Sequence, residues 1–221
     1  MRGLIRFIFF AFRKPRMALF IGGMTFLFAA IFLLFFGIQY VIGDLNPVDL
    51  NYPTYDLGSV KMYSHVTGYT SNAWGHFTVK SSDSDYIYYY FIPQFDNDAK
   101  PTTIKKMIVM RVDSNDIKNW NALSDYTQKR FAHTISNVPE PMHVDGYAYE
   151  MAYEFREKCI QSLQKNGFSY AEAQEILVPY SIANDSKSSK YATLSGGGAC
   201  VLIALFCFGV WISKGANFKD Y

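Results

Sequence analysis

The side chains with the strongest capacity for recognition lie on two neighbouring segments. Tyr86, Tyr88 and Tyr90 recur at every second position, and Trp74 and His76 do the same shortly before them. Alternate residues of a β-strand point to one face. Placed on adjoining strands, these five rings would form a platform for a sugar, a peptide or a partner protein, because Tyr and Trp offer rigid amphipathic area. A second reading competes with this one. Ile87, Tyr89 and Phe91 load the opposite face just as heavily, as they would in a strand buried on both sides.

Other chemistry is thinner. His65, His76, His133 and His143 are far apart and converge only if tertiary folding brings them together. Asp83-Ser84-Asp85 and Asp96-Asn97-Asp98 have the oxygen-rich spacing that calcium favours. Asp and Asn at turns more simply satisfy their own backbone. Cys159 stands alone between two apolar runs, and Cys200 and Cys207 fall inside the second run. A lone cysteine on a helix reads as a small buried apolar group. The chain has no Gly-x-x-x-x-Gly-Lys, Gly-x-Gly-x-x-Gly, Gly-x-Ser-x-Gly or His-Glu-x-x-His motif. No catalytic residue, metal or cofactor is therefore expected.

The elements that would hold these residues can be read from periodicity. Strands are expected at 60–69, 74–80, 85–95 and 103–112, joined by short Ser, Asn, Asp and Pro-rich connections. On the second of them, Trp74, His76, Thr78 and Lys80 are expected to share one face. Asp113 or Ser114 caps a helix through about His133, which Pro139 and Pro141 stop. His143–Tyr149 is a fifth strand returning to the sheet. A helix from about Tyr149 carries Met151, Phe155, Cys159 and Leu163 on one side and stops at Asn166-Gly167. Ser169 and Glu172 form a capping box for a third helix through Ile176, Leu177 and Val178. The expected fold is α+β, with two transmembrane helices flanking a small antiparallel β-sheet or barrel that has about three helices. One long helix before a last strand resembles the OB-like class of barrels.

Two uncharged runs, Met17–Gly43 and Tyr191–Ser213, bracket this region in a chain of 221 residues. At ~1.5 Å per residue each can cross a ~30 Å hydrocarbon core. The first is longer than the ~7–15 apolar residues of a signal peptide, so it reads as an uncleaved anchor. Residues 1–16 and 214–221 carry seven Lys or Arg against one acid, whereas 44–190 carries 14 against 18. That asymmetry puts both ends in the cytoplasm and the mildly acidic middle outside. It also disfavours nucleic acid as a partner. Arg2, Arg6 and Arg13 among apolar residues suggest an interfacial helix. Gly22, Gly23, Gly196, Gly197 and Gly198 permit close approach between spans. The organisation expected is a basic segment at 1–16, spans at 17–42 and 193–213, a stalk at 43–57, an extracytoplasmic domain at 58–182, a linker at 183–192 and a tail at 214–221.

The Tyr-Tyr-Phe-Ile-Pro strand (Tyr89–Pro93), Lys-Lys-Met-Ile-Val (Lys105–Val109) and Val-Asp-Gly (Val144–Gly146) resemble the corresponding segments of uncharacterised two-pass membrane proteins of Gram-positive gut bacteria. The resemblance implies a cell-envelope address and transfers no site residue. The function expected is a non-enzymatic scaffold, assembly or sensor subunit whose partners are the lipid bilayer and a membrane or surface protein, another copy included. The alternatives are an envelope enzyme acting on wall polymer or lipid headgroups, and a homo-oligomeric channel or assembly.

Overall fold

The computed structural model describes residues 15–51, 55–80, 86–96, 101–133, 137–183 and 186–213. The segments expected as an interfacial helix (1–14) and a basic tail (214–221), and the Asp83-Ser84-Asp85 cluster, lie outside the described residues. The chain divides into two compact units: Met1–Gln39 with Ser188–Tyr221, and Tyr40–Lys187.

The first unit holds a pair of helices, most of α1 (Pro15–Leu45) and of the last described helix, α5 (Ser186–Ser213), while the turn of α1 from Tyr40 belongs to the second unit. Both are long and apolar enough to cross a membrane. They pack antiparallel through small residues that seat large ones. A methyl group on Gly37 would lie 2.6 Å from Leu194 Cδ2, and one on Gly197 would lie 2.7 Å from Leu34 Cδ2. Phe20 meets Trp211 with ring centroids 5.4 Å apart. The outward faces stay uncovered: Phe28, Phe32, Leu202 and Phe206 are all more than 60% exposed.

The described residues of the second unit form seven strands: β1 (Val48–Asp49), β2 (His65–Thr70), β3 (Trp74–Lys80), β4 (Tyr86–Phe95), β5 (Ile104–Val112), β6 (Met142–Glu150) and β7 (Leu177–Ala183). Its helices are α2 (Ile117–Phe131), α3 (Tyr153–Lys165) and α4 (Tyr170–Ile176). The strands form one sheet in the order β1-β2-β6-β7-β5-β4-β3. With β1 and β3 at its edges the sheet is open, so it takes the sheet form of the expected sheet or barrel and departs from the OB-like plan. It is also mixed where antiparallel pairing throughout is expected, since β1 runs parallel to β2 and β7 parallel to β5.

Helices cover both faces. Tyr90, Ile92, Ile108 and Met110 pack with Trp120 and Leu123 of α2, and the same core takes in Val66, Val144 and Ile182 with Leu50 and Leu57. Leu50 and Leu57 are therefore core residues of a segment expected as a stalk. On the opposite face Phe91, Met107, Val109 and Leu177 bury Cys159, Ile160 and Leu163 of α3 and Ala173 and Ile176 of α4. The caps behave as their sequences predict. The Asp113 carboxylate accepts from Asn115 N–H ahead of α2, and Ser169 and Glu172 make both bonds of the capping box. That box lowers the Glu172 pKa, because the carboxylate accepts a hydrogen bond from Ser169. Gly167 closes α3 with φ +96°.

Among the elements that differ from expectation, the strand expected at 60–69 begins only at His65. The helix after Ser169 stops at Ile176, and Leu177 and Val178 open β7. Pro179 explains the change, because the residue before a proline is pushed into extended backbone. On β3, Gly75 has φ +57° and forms a bulge, so that Trp74 pairs with Phe91 while His76 pairs with Tyr90. The extra residue breaks the alternation, and Trp74 faces away from His76, Thr78 and Lys80.

Gly146 sits where β6 is flanked by β2 and β7. A methyl group there would collide with the Ala183 carbonyl oxygen and lie 2.9 Å from Ile182 Cγ2. Gly146→Val is expected to lower stability by about 1–3 kcal/mol or more through overpacking. Urea unfolding of the detergent-solubilised chain measures this, and an unchanged midpoint would contradict the close approach.

Candidate functional site

The structure places four of the five platform residues on one face, three of them in ring contact. His76, Tyr88 and Tyr90 share a face, with ring centroids 5.2 Å apart for His76–Tyr90 and 6.5 Å for His76–Tyr88. Tyr86 lies at the open end of the same face, 57% exposed. Tyr90 belongs to the core: its hydroxyl donates to Asn121 Oδ1 at 2.8 Å, and its ring packs 5.5 Å from Trp120. Burial, with Tyr88 adding to it, raises its pKa to about 12. Trp74 is placed apart from the others, edge-on to Phe131 at 5.1 Å on the opposite face. That face is also packed, with Tyr89 stacked on Phe77 at 5.2 Å and meeting Phe155 at 4.8 Å.

Beside β3 lies an open cleft of about 390 Å³, lined by His76, Phe77 and Thr78 of the strand and Lys158, Gln161, Ser162 and Lys165 of α3. The α3 residues fall at helical spacing, so one stripe of the helix faces the cleft. Hydrogen-bond donors dominate the lining: two ammonium groups, an amide, two hydroxyls and an imidazole. Among the described residues no carboxylate lines it.

A second cluster was not legible in the sequence. His65 Nε2 lies 2.8 Å from Asp145 Oδ1, and His65 Nδ1 lies 3.2 Å from Asp44 Oδ1. The imidazole stacks on Tyr147, centroids 4.9 Å apart, and the Tyr147 hydroxyl donates to Asp44. Tyr40 meets Tyr63 and Tyr147 at 5.1 and 4.9 Å, and its hydroxyl is 3.0 Å from that of Tyr149. Tyr63 has φ +66°, and burial, followed by Tyr40, raises its pKa. The partners come from β2, β6 and the last turn of α1, with Asp145 80 residues from His65 and Tyr147 103 from Asp44, so no local pattern marks them. Register does explain them. His65 stands opposite Tyr147 and Thr67 opposite Asp145, and residues directly opposite in a sheet share a face.

The Asp145–His65 distance suits proton transfer, but Asp44 occupies the second ring nitrogen. Each ring nitrogen thus faces a carboxylate inside the cluster, which ties the last turn of α1 to the sheet. The two carboxylates also approach from opposite sides of the ring, so they do not converge on one point. Among the described residues no group of three His, Cys, Asp or Glu has the geometry of a metal site. His143 packs edge-on to Tyr69 at 5.1 Å. Asp96 accepts from Thr102 N–H and Thr103 N–H at 3.2 and 3.1 Å, which is turn chemistry; Asn97 and Asp98 lie outside the described residues. Cys159 is fully buried, and burial raises its pKa to about 12, so the thiol stays protonated at neutral pH.

Comparison with known protein families, with curated proteins and with solved structures finds no match. The fold and its two clusters are therefore read on their own chemistry.

Two outcomes are expected. His65→Ala and Asp145→Ala each cost about 1.5–3 kcal/mol, the range for hydrogen bonds to charged groups. Their double mutant should cost less than the sum; additive losses would mean that the pair is not coupled. Separately, the folded-state pKa of Cys159 lies above its unfolded value of 9. The stability this contributes is whole below pH 9 and is lost as pH rises through about 12. Maleimide should modify Cys159 only after denaturant is added; modification of the native protein would contradict its burial.

Proposed function

We propose that this chain is a membrane-anchored, non-enzymatic binding protein of the cell envelope, acting as a scaffold, assembly or sensor subunit. In this reading α1 and α5 cross the bilayer, both ends are cytoplasmic, and the α+β unit binds a partner protein or surface component outside. One observation carries the reading. Two helices of membrane length, each with a long uncharged run and placed one before and one after the α+β unit in the chain, leave their large apolar side chains uncovered. Contiguous apolar surface of this kind is unfavourable in water and suits lipid. The excess of Lys and Arg in 1–16 and 214–221 supports the orientation.

The side-chain chemistry supports binding over catalysis. The buried thiol is protonated, and His65 has a carboxylate against each ring nitrogen. The cleft beside β3, by contrast, presents donors outward.

Alkaline carbonate should leave the protein in the membrane pellet, and release to the supernatant would remove the anchored reading. A Lys61→Cys variant should react with a membrane-impermeant maleimide on intact cells. Reaction only after permeabilisation would place the α+β unit in the cytoplasm.

A further inference from the structure

The cleft beside β3 has an unusual lining for a sheet surface. His76, Phe77 and Thr78 are consecutive, and consecutive strand residues point to opposite faces. A cleft that touches all three therefore abuts the edge of the strand, where backbone N–H and C=O groups point outward. β3 is the terminal strand of the sheet, and among the described residues no strand lies beyond it. Its first half is closed off by α2: Thr127 Oγ1 accepts from Ala73 N–H at 3.0 Å, and Ser124 Oγ accepts from Gly75 N–H at 2.8 Å. Those hydroxyls stand where the acceptors of a neighbouring strand would be. The stretch that follows, His76 to Thr78, opens into the cleft.

Charge selects the occupant. Lys158 and Lys165 line the cleft, Lys80 ends β3, and among the described residues no carboxylate lines it, although the region 44–190 carries more acids than bases. Two copies pairing edge to edge would bring these lysines together, which opposes self-association. We infer that the open stretch of β3 and the Lys158–Lys165 stripe of α3 form a docking site for an extended acidic peptide of a partner protein, added to the sheet as an eighth strand. The spacing agrees. Seven helical residues separate the lysines by ~10.5 Å. Same-face positions two and four residues apart in a strand span ~6.6 and ~13 Å, and a lysine stem reaches either. Backbone pairing would supply affinity, and Glu or Asp at alternate positions would supply selection.

This inference deepens the binding-protein reading and rests on it. The test uses the full chain in nanodiscs and a fluorescein-labelled octapeptide of alternating glutamate and valine, read by fluorescence anisotropy. Saturable binding is expected. A Lys158→Glu/Lys165→Glu variant, checked for a native circular dichroism spectrum, should bind at least tenfold more weakly. An equally acidic peptide with prolines in place of two valines should also lose at least tenfold, because proline cannot donate to the strand. Equal binding of the proline peptide, displacement of the peptide by tripolyphosphate at equal charge, or no saturable binding up to millimolar peptide would each overturn the site. Such a failure in a protein that still resists carbonate and still labels at Lys61→Cys leaves the anchored reading standing.

Discussion

β6 carries the sheet. It pairs with β2 on one side and β7 on the other, and so joins the β1-β2 edge to the β7-β5-β4-β3 body. The pairing requires backbone to approach backbone closely at Gly146, where the Ala183 carbonyl leaves no room for a Cβ. Without that strand the core on the α2 face would divide, because Val66 lies on β2, Val144 and Ala148 on β6, and Ile182 on β7. The strand is also the route by which Asp145 and Tyr147 reach His65. Packing and the polar cluster thus depend on one register.

Much of this architecture was written in local pattern. The alternation of 74–80 and the aromatic run of 85–95 located β3 and β4 almost to the residue. Asp113, Asn166-Gly167 and the Ser169–Glu172 box marked helix ends because each meets backbone groups a few residues away. β1 was invisible because two residues carry no period, and it exists only by pairing with Val66 and Thr67. β7 was hidden by apolar residues that continue the face of α4, and Pro179 was the sign that the helix could not go on. A parallel partner such as β5 is set by the path of the intervening chain. No local signal reports it.

Candidate sites divide in the same way. His76, Tyr88 and Tyr90 came together because their spacing is the strand period. Trp74 was misplaced because one glycine with positive φ shifts the count by one. The Lys158–Lys165 stripe has helical spacing and was in plain view, but its significance depends on β3 being an edge. The cluster around His65 joins residues that share nothing in sequence, and only the register of β2 against β6 creates it.

The last turn of α1 has a mechanical consequence. Asp44 meets His65 and Tyr147, Tyr40 is wedged among three tyrosines, and Gly43 lies against the Tyr63 backbone. Together these contacts act as an axial stop. A slide of one residue, ~1.5 Å along the helix, would pull a carboxylate off an imidazole and drive the backbone at Gly43 into that of Tyr63. Piston-like displacement of this turn is therefore blocked in small steps. The turn from Tyr40 to Leu45 thus belongs with β2 and β6, although it continues the helix that forms most of the other unit.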